Sequence, residues 1–168
     1  MKSKNWESDI QEQIPRLRRY AHALTRNSHA ADDLVQDCLE RAWSKRDSWR
    51  LGSDLRAWLF TIMHNVFINS LRSNRLQTQP FFEDECTDRT DHLENSHVLR
   101  DFQSCLTKLK PDYQEVIVLA CLEQMPYKEI AQITNIPVGT VMSRLSRGRE
   151  QLRLLMEGHD VQNVVSIK

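Results

Sequence analysis

Residues 127–156 read YKEIAQITNIPVGTVMSRLSRGREQLRLLM. A short run of helical periodicity, a three-residue interruption at Asn135-Ile136-Pro137 and a long second run predict helices over 127–134 and 138–156. Two helices joined by so tight a turn form a helix-turn-helix. In the second helix Val141, Leu145 and Leu152 fall on a core-facing stripe, leaving Thr140, Ser143, Arg144 and Arg147 for DNA. Residues 138–153 hold four arginines against one glutamate, for +3. The helix opens on Val138-Gly139-Thr140, where free backbone N–H groups suit a phosphate. A charged, solvated helix in an ordinary bundle would share these features, but the proline-punctuated short-long pair favours the motif.

Working outward, Pro111, Pro126 and Pro137 each precede a new periodic run, at the first-turn position where a missing N–H costs nothing. They predict further helices over 98–108 and 111–123. At the front, Ile10, Ile14, Leu17, Ala21 and Leu24 form one stripe. Asn27 or Ser28 can cap a second helix with Ala31, Leu34, Val35, Cys38, Leu39 and Ala42 inward and Asp32, Asp33, Gln36, Asp37 and Glu40 outward. Ser53 caps a third, running to about Arg75. No stretch alternates like a strand, so the fold class is all-α.

Residues 76–97 lose the periodicity, are acidic and contain Pro80, which marks a flexible linker. The expected organisation is a helical domain over 1–75, this linker, a helix-turn-helix domain over 98–157 and a frayed tail over 158–168. Phe81 and Phe82 in the linker can dock back on a domain or insert into a partner.

The 168 residues carry 23 basic and 23 acidic side chains, yet the cancellation is local. Residues 1–75 sum to +4, residues 76–97 to −5 and residues 98–168 to +1. Because salt screens surface charge beyond about 10 Å, these segment values matter more than the total. Four glycines, with no G-x-G-x-x-G and no G-x-x-x-x-G-K, exclude the usual phosphate-loop enzymes. The cysteines show no C-x-x-C and no zinc spacing, and Cys38, Cys105 and Cys121 read as buried thiols. His92 and His97, beside Asp88, Asp91 and Glu94, are at most a weak metal site, so neither metal nor cofactor is expected. No apolar run reaches 18 residues and the start is polar, so neither signal peptide nor membrane insertion is expected, and the location is cytoplasmic.

The helix from Leu55 to Arg72 carries two apolar stripes, Leu55, Leu59, Ile62 and Val66 on one side and Phe60, Met63, Phe67 and Leu71 on the other. Between them runs a strip of Thr61, Asn65, Asn69 and Arg72. Such a strip is either a satisfied internal network or a surface for recognition, since Asn pairs with base edges and arginines meet phosphates. Trp49, in a turn-like segment, is either a lid on its own core or an aromatic wall for an unstacked base. Trp58 reads as core.

Taken together, the chain resembles the extracytoplasmic-function (ECF) subfamily of the sigma-70 family of bacterial RNA polymerase sigma factors. The resemblance spans about residues 10–156. AADDLVQDCLERAWSKRDSW looks like region 2.2 and the loop after it, and LRAWLFTIMHNVFINSLRSNR like regions 2.3 and 2.4. LKPDYQEVIVLACLEQMPYKEIAQITNIPVGTVMSRLSRGREQLR looks like region 4.

The resemblance implies that Asp32, Asp33, Leu34, Gln36, Asp37 and Arg41 dock on the β′ clamp helices of core polymerase. It implies that Trp49 and Asn65 border a pocket for a flipped −10 base. Asn69, Arg72 and Arg75 would hold the single strand and upstream backbone, while Thr140, Ser143, Arg144 and Arg147 enter the −35 major groove. The implied partners are core polymerase (β′ clamp helices and β flap), promoter DNA and an anti-sigma factor, and the protein is not an enzyme. The linker would thread towards the polymerase's RNA exit channel, where acidic residues suit a basic wall. Met142 stands where the family often has lysine and Val138 where a polar residue is common. The family lacks a long N-terminal inhibitory region, and this chain starts almost directly on its first domain. The rival readings are a stand-alone helix-turn-helix regulator, and a sigma-like protein that sequesters an anti-sigma factor without touching DNA.

Overall fold

The computed structural model describes residues 6–50, 53–76 and 97–158, apart from the side chains of 74–76 and 97–100. Helices α1 (Trp6–Thr25), α2 (Ser28–Ser44) and α3 (Leu55–Leu76) come first, with a single 3-10 turn at Arg46–Ser48. Then follow α4 (His97–Thr107), α5 (Pro111–Ile117), a π-helical turn at Val118–Leu122, α6 (Tyr127–Thr134) and α7 (Val138–Met156). No strand occurs among the described residues, as the all-α reading requires. They gather into two compact units, one around α1–α3 and the other holding most of α4–α7.

In the first unit the stripes close on one another. Ile10, Leu17, Ala21 and Leu24 of α1, Leu34, Val35 and Cys38 of α2, and Leu59, Ile62, Met63 and Val66 of α3 are buried. At the centre Tyr20 stacks on Phe60, ring centroids 4.9 Å apart and planes 27° apart. The Cys38 thiol donates to the Leu59 carbonyl oxygen at 3.5 Å, and burial pushes its pKa up to about 12. Pro15 lies inside α1 on an exposed position. There the Gln11 carbonyl it deprives of a partner can face water, which limits the cost.

Caps set the boundaries. The Asn27 side chain accepts from Ala30 N–H at 2.9 Å and starts α2. At α3 the cap is Asp54, not Ser53: the Asp54 carboxylate accepts from Arg56 and Ala57 N–H at 2.9 and 3.2 Å. A carboxylate there also meets the positive end of the helix dipole. Ser53 instead donates to the Arg50 carbonyl oxygen at 2.8 Å.

In the second unit α5 packs on α7. The contact depends on Gly148, where an added Cβ would stand 2.8 Å from Ile117 Cδ1 and 3.1 Å from Tyr113 Cβ. Ile117 is itself buried and has nowhere to swing. Overpacking costs about 1–3 kcal/mol, and helix propensity returns about 1. Gly148→Ala should therefore destabilise the unit by about 1 kcal/mol, measured by denaturant unfolding; unchanged stability would mean the two helices part without cost.

Only Pro111 sits inside the first turn of its helix. Pro126 and Pro137 sit one residue earlier, and their carbonyls accept from Ile130 and Val141 N–H. The N-cap residue's own N–H is outside the helical ladder too, so proline is tolerated there for the same reason. The predicted helix over 111–123 is α-helical only to Ile117 and then winds as a π turn, with Glu123 N–H bonding to Val118 O at 3.0 Å. A π turn advances less per residue than an α turn, so a phase counted at 3.6 residues drifts. Cys121, predicted buried, is exposed for that reason, as is Leu122, whereas Cys38 and Cys105 are buried as expected.

The helix-turn-helix turn is built as its sequence suggests. Asn135 takes a left-handed conformation (φ 54°) and Ile136 N–H returns to Ala131 O at 3.1 Å, a Schellman closure in which asparagine replaces glycine. Residues 77–96, with Phe81, Phe82, Cys86 and His92, and residues 159–168 lie outside the described residues.

Candidate nucleic-acid interface

Three helix faces carry the predicted site residues. In α7, burial of Val141, Leu145, Gly148 and Leu152 fixes the rotation of the helix. Ser143 and Arg147 are thereby exposed and Thr140 half-buried. The N-cap is Pro137, which offers no side-chain acceptor to the first turn, so the opening N–H groups point outward unpaired by a cap.

The arginines of α7 sort by what they already touch. Arg144 is ion-paired at 2.8 Å to Asp112 of α5, the side chains 25% and 63% exposed. Arg153 grips Glu150 at 2.8 Å and Glu157 at 2.6 Å; these bonds hold the Glu150 carboxyl below its usual value and the guanidinium above its own. Arg149 donates to Cys121 Sγ at 3.7 Å. Arg147 is exposed and has no ion pair among the described residues. The +3 read from the sequence is thus divided, and Arg144 and Arg147 lie on the side of Thr140 and Ser143 while Arg149 and Arg153 lie opposite.

On α3 the polar strip is a surface and not an internal network. Asn65, Asn69 and Arg72 are exposed, while Thr61 is half-buried and donates to Ala57 O at 2.8 Å. The Arg75 backbone is helical, but its side chain lies outside the described residues. Trp49 is half-buried with its ring 5.2 Å from Trp6. It is therefore a lid on its own corner and still partly open. Trp58 is half-buried and edge-on to Trp6 at 5.8 Å, less enclosed than a core residue.

On α2, Asp32, Asp33, Gln36, Asp37 and Arg41 are exposed and available to a partner. Leu34 is not: it faces the core at 6% exposure and stands apart from the other five. Arg18 lies 3.7 Å from Asp32, and Gln36 donates to Glu40 at 3.1 Å, both pairs at the surface. Sequence reasoning missed Trp43, 54% exposed and seven residues after Gln36 on the same face. The signal was present, since a tryptophan in phase with a polar face is out of place unless something covers it.

Opposite the Arg144 side of α7 lies a groove of about 360 Å³ lined by Tyr127, Met142, Leu145, Ser146, Arg149 and Arg153. Met142 and Tyr127 there are large exposed apolar side chains. Among the described residues no group of three or more His, Cys, Asp or Glu could hold a metal ion. No helix among them is long and apolar enough to cross a membrane.

Comparison with known proteins follows the division into units. The family described as "Sigma2 domain of PhyR" matches residues 10–64, and "Sigma-70, region 4" matches residues 99–152. An ECF RNA polymerase sigma factor, EcfG of Rhodopseudomonas palustris, is 36% identical over 161 residues, covering 88% of this chain and 83% of that protein. The sigma factor RpoE of Bartonella quintana, solved in complex with the anti-sigma factor NepR, superposes with a TM-score of 0.82. It is 35% identical, with 92% of this chain and 98% of that one covered. The anti-anti-sigma factor PhyR of Bartonella quintana, solved with NepR, is 18% identical with a TM-score of 0.54, over 85% of this chain and 48% of that one. That last likeness shows the fold alone.

Proposed function

The chain belongs to the ECF subfamily of sigma-70 sigma factors, which direct RNA polymerase to promoters, and from that premise we propose how its three faces divide the work. The acidic face of α2 (Asp32, Asp33, Gln36, Asp37, with Arg41) docks on the clamp helices of core polymerase. Trp49 and Asn65 border the pocket of a flipped −10 base, and Asn69, Arg72 and Arg75 hold the strand that leaves it. Thr140, Ser143, Arg144 and Arg147 enter the −35 major groove. The contribution is binding without catalysis. Unstacking a base costs a few kcal/mol, and stacking on an aromatic wall returns about 1–3 kcal/mol.

The observation that carries this reading is the exposure of Asn65 on a stretch of α3 where Ile62, Met63, His64 and Val66 are buried, followed by Asn69 and Arg72 on the exposed end of the same helix. Packing does not need them there, and base edges and phosphates would use them. The modest positive charge of the second unit supports weak binding to free duplex, with polymerase supplying the remaining contacts.

An anti-sigma factor is a further proposed partner. The NepR complex of the Bartonella quintana relative supports it, as do Trp43, Met142 and Tyr127, exposed apolar side chains that a regulatory protein could cover.

Reconstitution tests the proposal. Added to bacterial core polymerase, the protein should direct specific initiation on a library of promoter fragments, and failure to bind core would sink the assignment of the α2 face. Asp37→Ala should weaken core binding about tenfold by titration, from loss of one charged interface contact worth about 1–2 kcal/mol. A second reading, sequestration of an anti-sigma factor without DNA, is favoured by the match of residues 10–64 to the Sigma2 domain of PhyR. Core binding with no initiation on any fragment would select it.

A further inference from the structure

Three tryptophans from three elements meet at one corner of the first unit. Trp6 opens α1, Trp49 follows the turn Arg46–Ser48, and Trp58 lies in the first turn of α3. Trp6 is in the middle, 5.2 Å from Trp49 and 5.8 Å from Trp58, with the Arg46 guanidinium 6.0 Å over its ring. First residues of helices ordinarily fray, yet Trp6 is 8% exposed. In the segment 46–50 every other side chain is exposed and only Trp49 is half-buried. The ring it rests on is Trp6, so the platform for this loop comes from the beginning of the chain.

The cluster also carries unspent hydrogen bonding. The indole nitrogens of Trp6 and Trp49 are buried with no partner among the described residues. Indole N–H can only donate, and a buried donor without an acceptor is costly enough to need an explanation.

We propose that Trp6 is a positioning residue for base recognition: it holds Trp49 and its loop in place before DNA arrives, and the unpaired indole donor of Trp49 marks where an acceptor atom of an unstacked base enters. The inference rests on the reading of Trp49 as a wall of the base pocket. A wall already fixed by another ring loses less freedom on binding than a free loop, so the benefit appears as affinity for the single strand. Trp6 is the more buried of the two rings and belongs neither to the polar face of α2 nor to that of α7, so its contribution is separable from polymerase docking and duplex reading.

The test uses the full chain assembled with core polymerase. The probe is a single-stranded DNA selected by wild-type holoenzyme from a randomised pool and carrying 2-aminopurine at each position in turn. Wild type should show one position whose fluorescence is changed by stacking. Trp6→Leu keeps an apolar side chain but removes the ring; it should weaken binding about fivefold, as expected for a lost aromatic pair, and suppress the signal at that position. Trp6→Phe should restore most of both. Core affinity should be unchanged in each variant. If Trp6→Leu binds and signals like wild type while Trp49→Ala does not, the role of Trp6 is refuted and the pocket stands. If Trp49→Ala is also without effect, the pocket reading itself fails and takes this inference with it. Should the Leu variant not fold, the Phe variant decides: a loss of both signal and affinity as large as that of Trp49→Ala, in a folded protein, would overturn positioning by an aromatic platform.

Discussion

Phe60→Ala should strongly destabilise the first unit while leaving the second intact. Phe60 and Tyr20 are fully buried and stacked at 4.9 Å, and deleting a buried phenyl ring costs about 3–5 kcal/mol. A unit of about 70 residues holds only about 4–10 kcal/mol in total, so most of its stability is lost. Hydrogen exchange on the full chain gives the result by element. Amides of α1–α3 should lose protection and those of α5–α7 keep theirs. Protection retained in α1–α3 would mean that the core of this unit does not depend on the Tyr20–Phe60 stack.

Arg144→Gln should reduce promoter selection without touching polymerase binding. A guanidinium reading a base edge is worth about 1–3 kcal/mol of discrimination, so the preference for a matched over a scrambled −35 duplex should fall about 5- to 150-fold. The ion pair to Asp112 gives the second arm. In the free protein Asp112 both neutralises and aims Arg144. Asp112→Asn should therefore tighten binding to arbitrary duplex and relax selectivity, with a salt dependence steeper by about one counterion. Competition between the two duplexes measures both variants. An equal loss on matched and scrambled duplex in Arg144→Gln would make Arg144 a phosphate contact instead.

Much of this was legible in the sequence, for local reasons. Helix periodicity and the prolines placed α4, α6 and α7 to within a residue or two, and Asn135-Ile136-Pro137 marked the turn between the last two helices. What escaped was mostly not local. Ser53 and Asp54 are adjacent candidate caps, and the choice rests on backbone geometry. The π turn shifted the phase of Cys121 without a residue to announce it. Gly148 matters only because Ile117 and Tyr113 lie across from it. The site divides in the same way. The strip on α3 was visible as a strip, but which way it pointed depended on packing. The pairing of Arg144 with Asp112 and the tilted packing of Trp49 against Trp6 join residues far apart in the chain, beyond any pattern of spacing.

Cys38 turns its burial into a gauge. Its thiol, lodged against the Leu59 carbonyl and pushed up to about 12, offers almost no thiolate at neutral pH, and only the thiolate attacks an alkylating reagent. Labelling of Cys38 in the intact chain therefore times the opening of the first unit, while the exposed Cys121 is accessible without any opening. The same shift sets an alkaline limit. The native state disfavours the thiolate, so stability is whole below the ordinary thiol value of 9.0 and drains as pH climbs from there towards about 12.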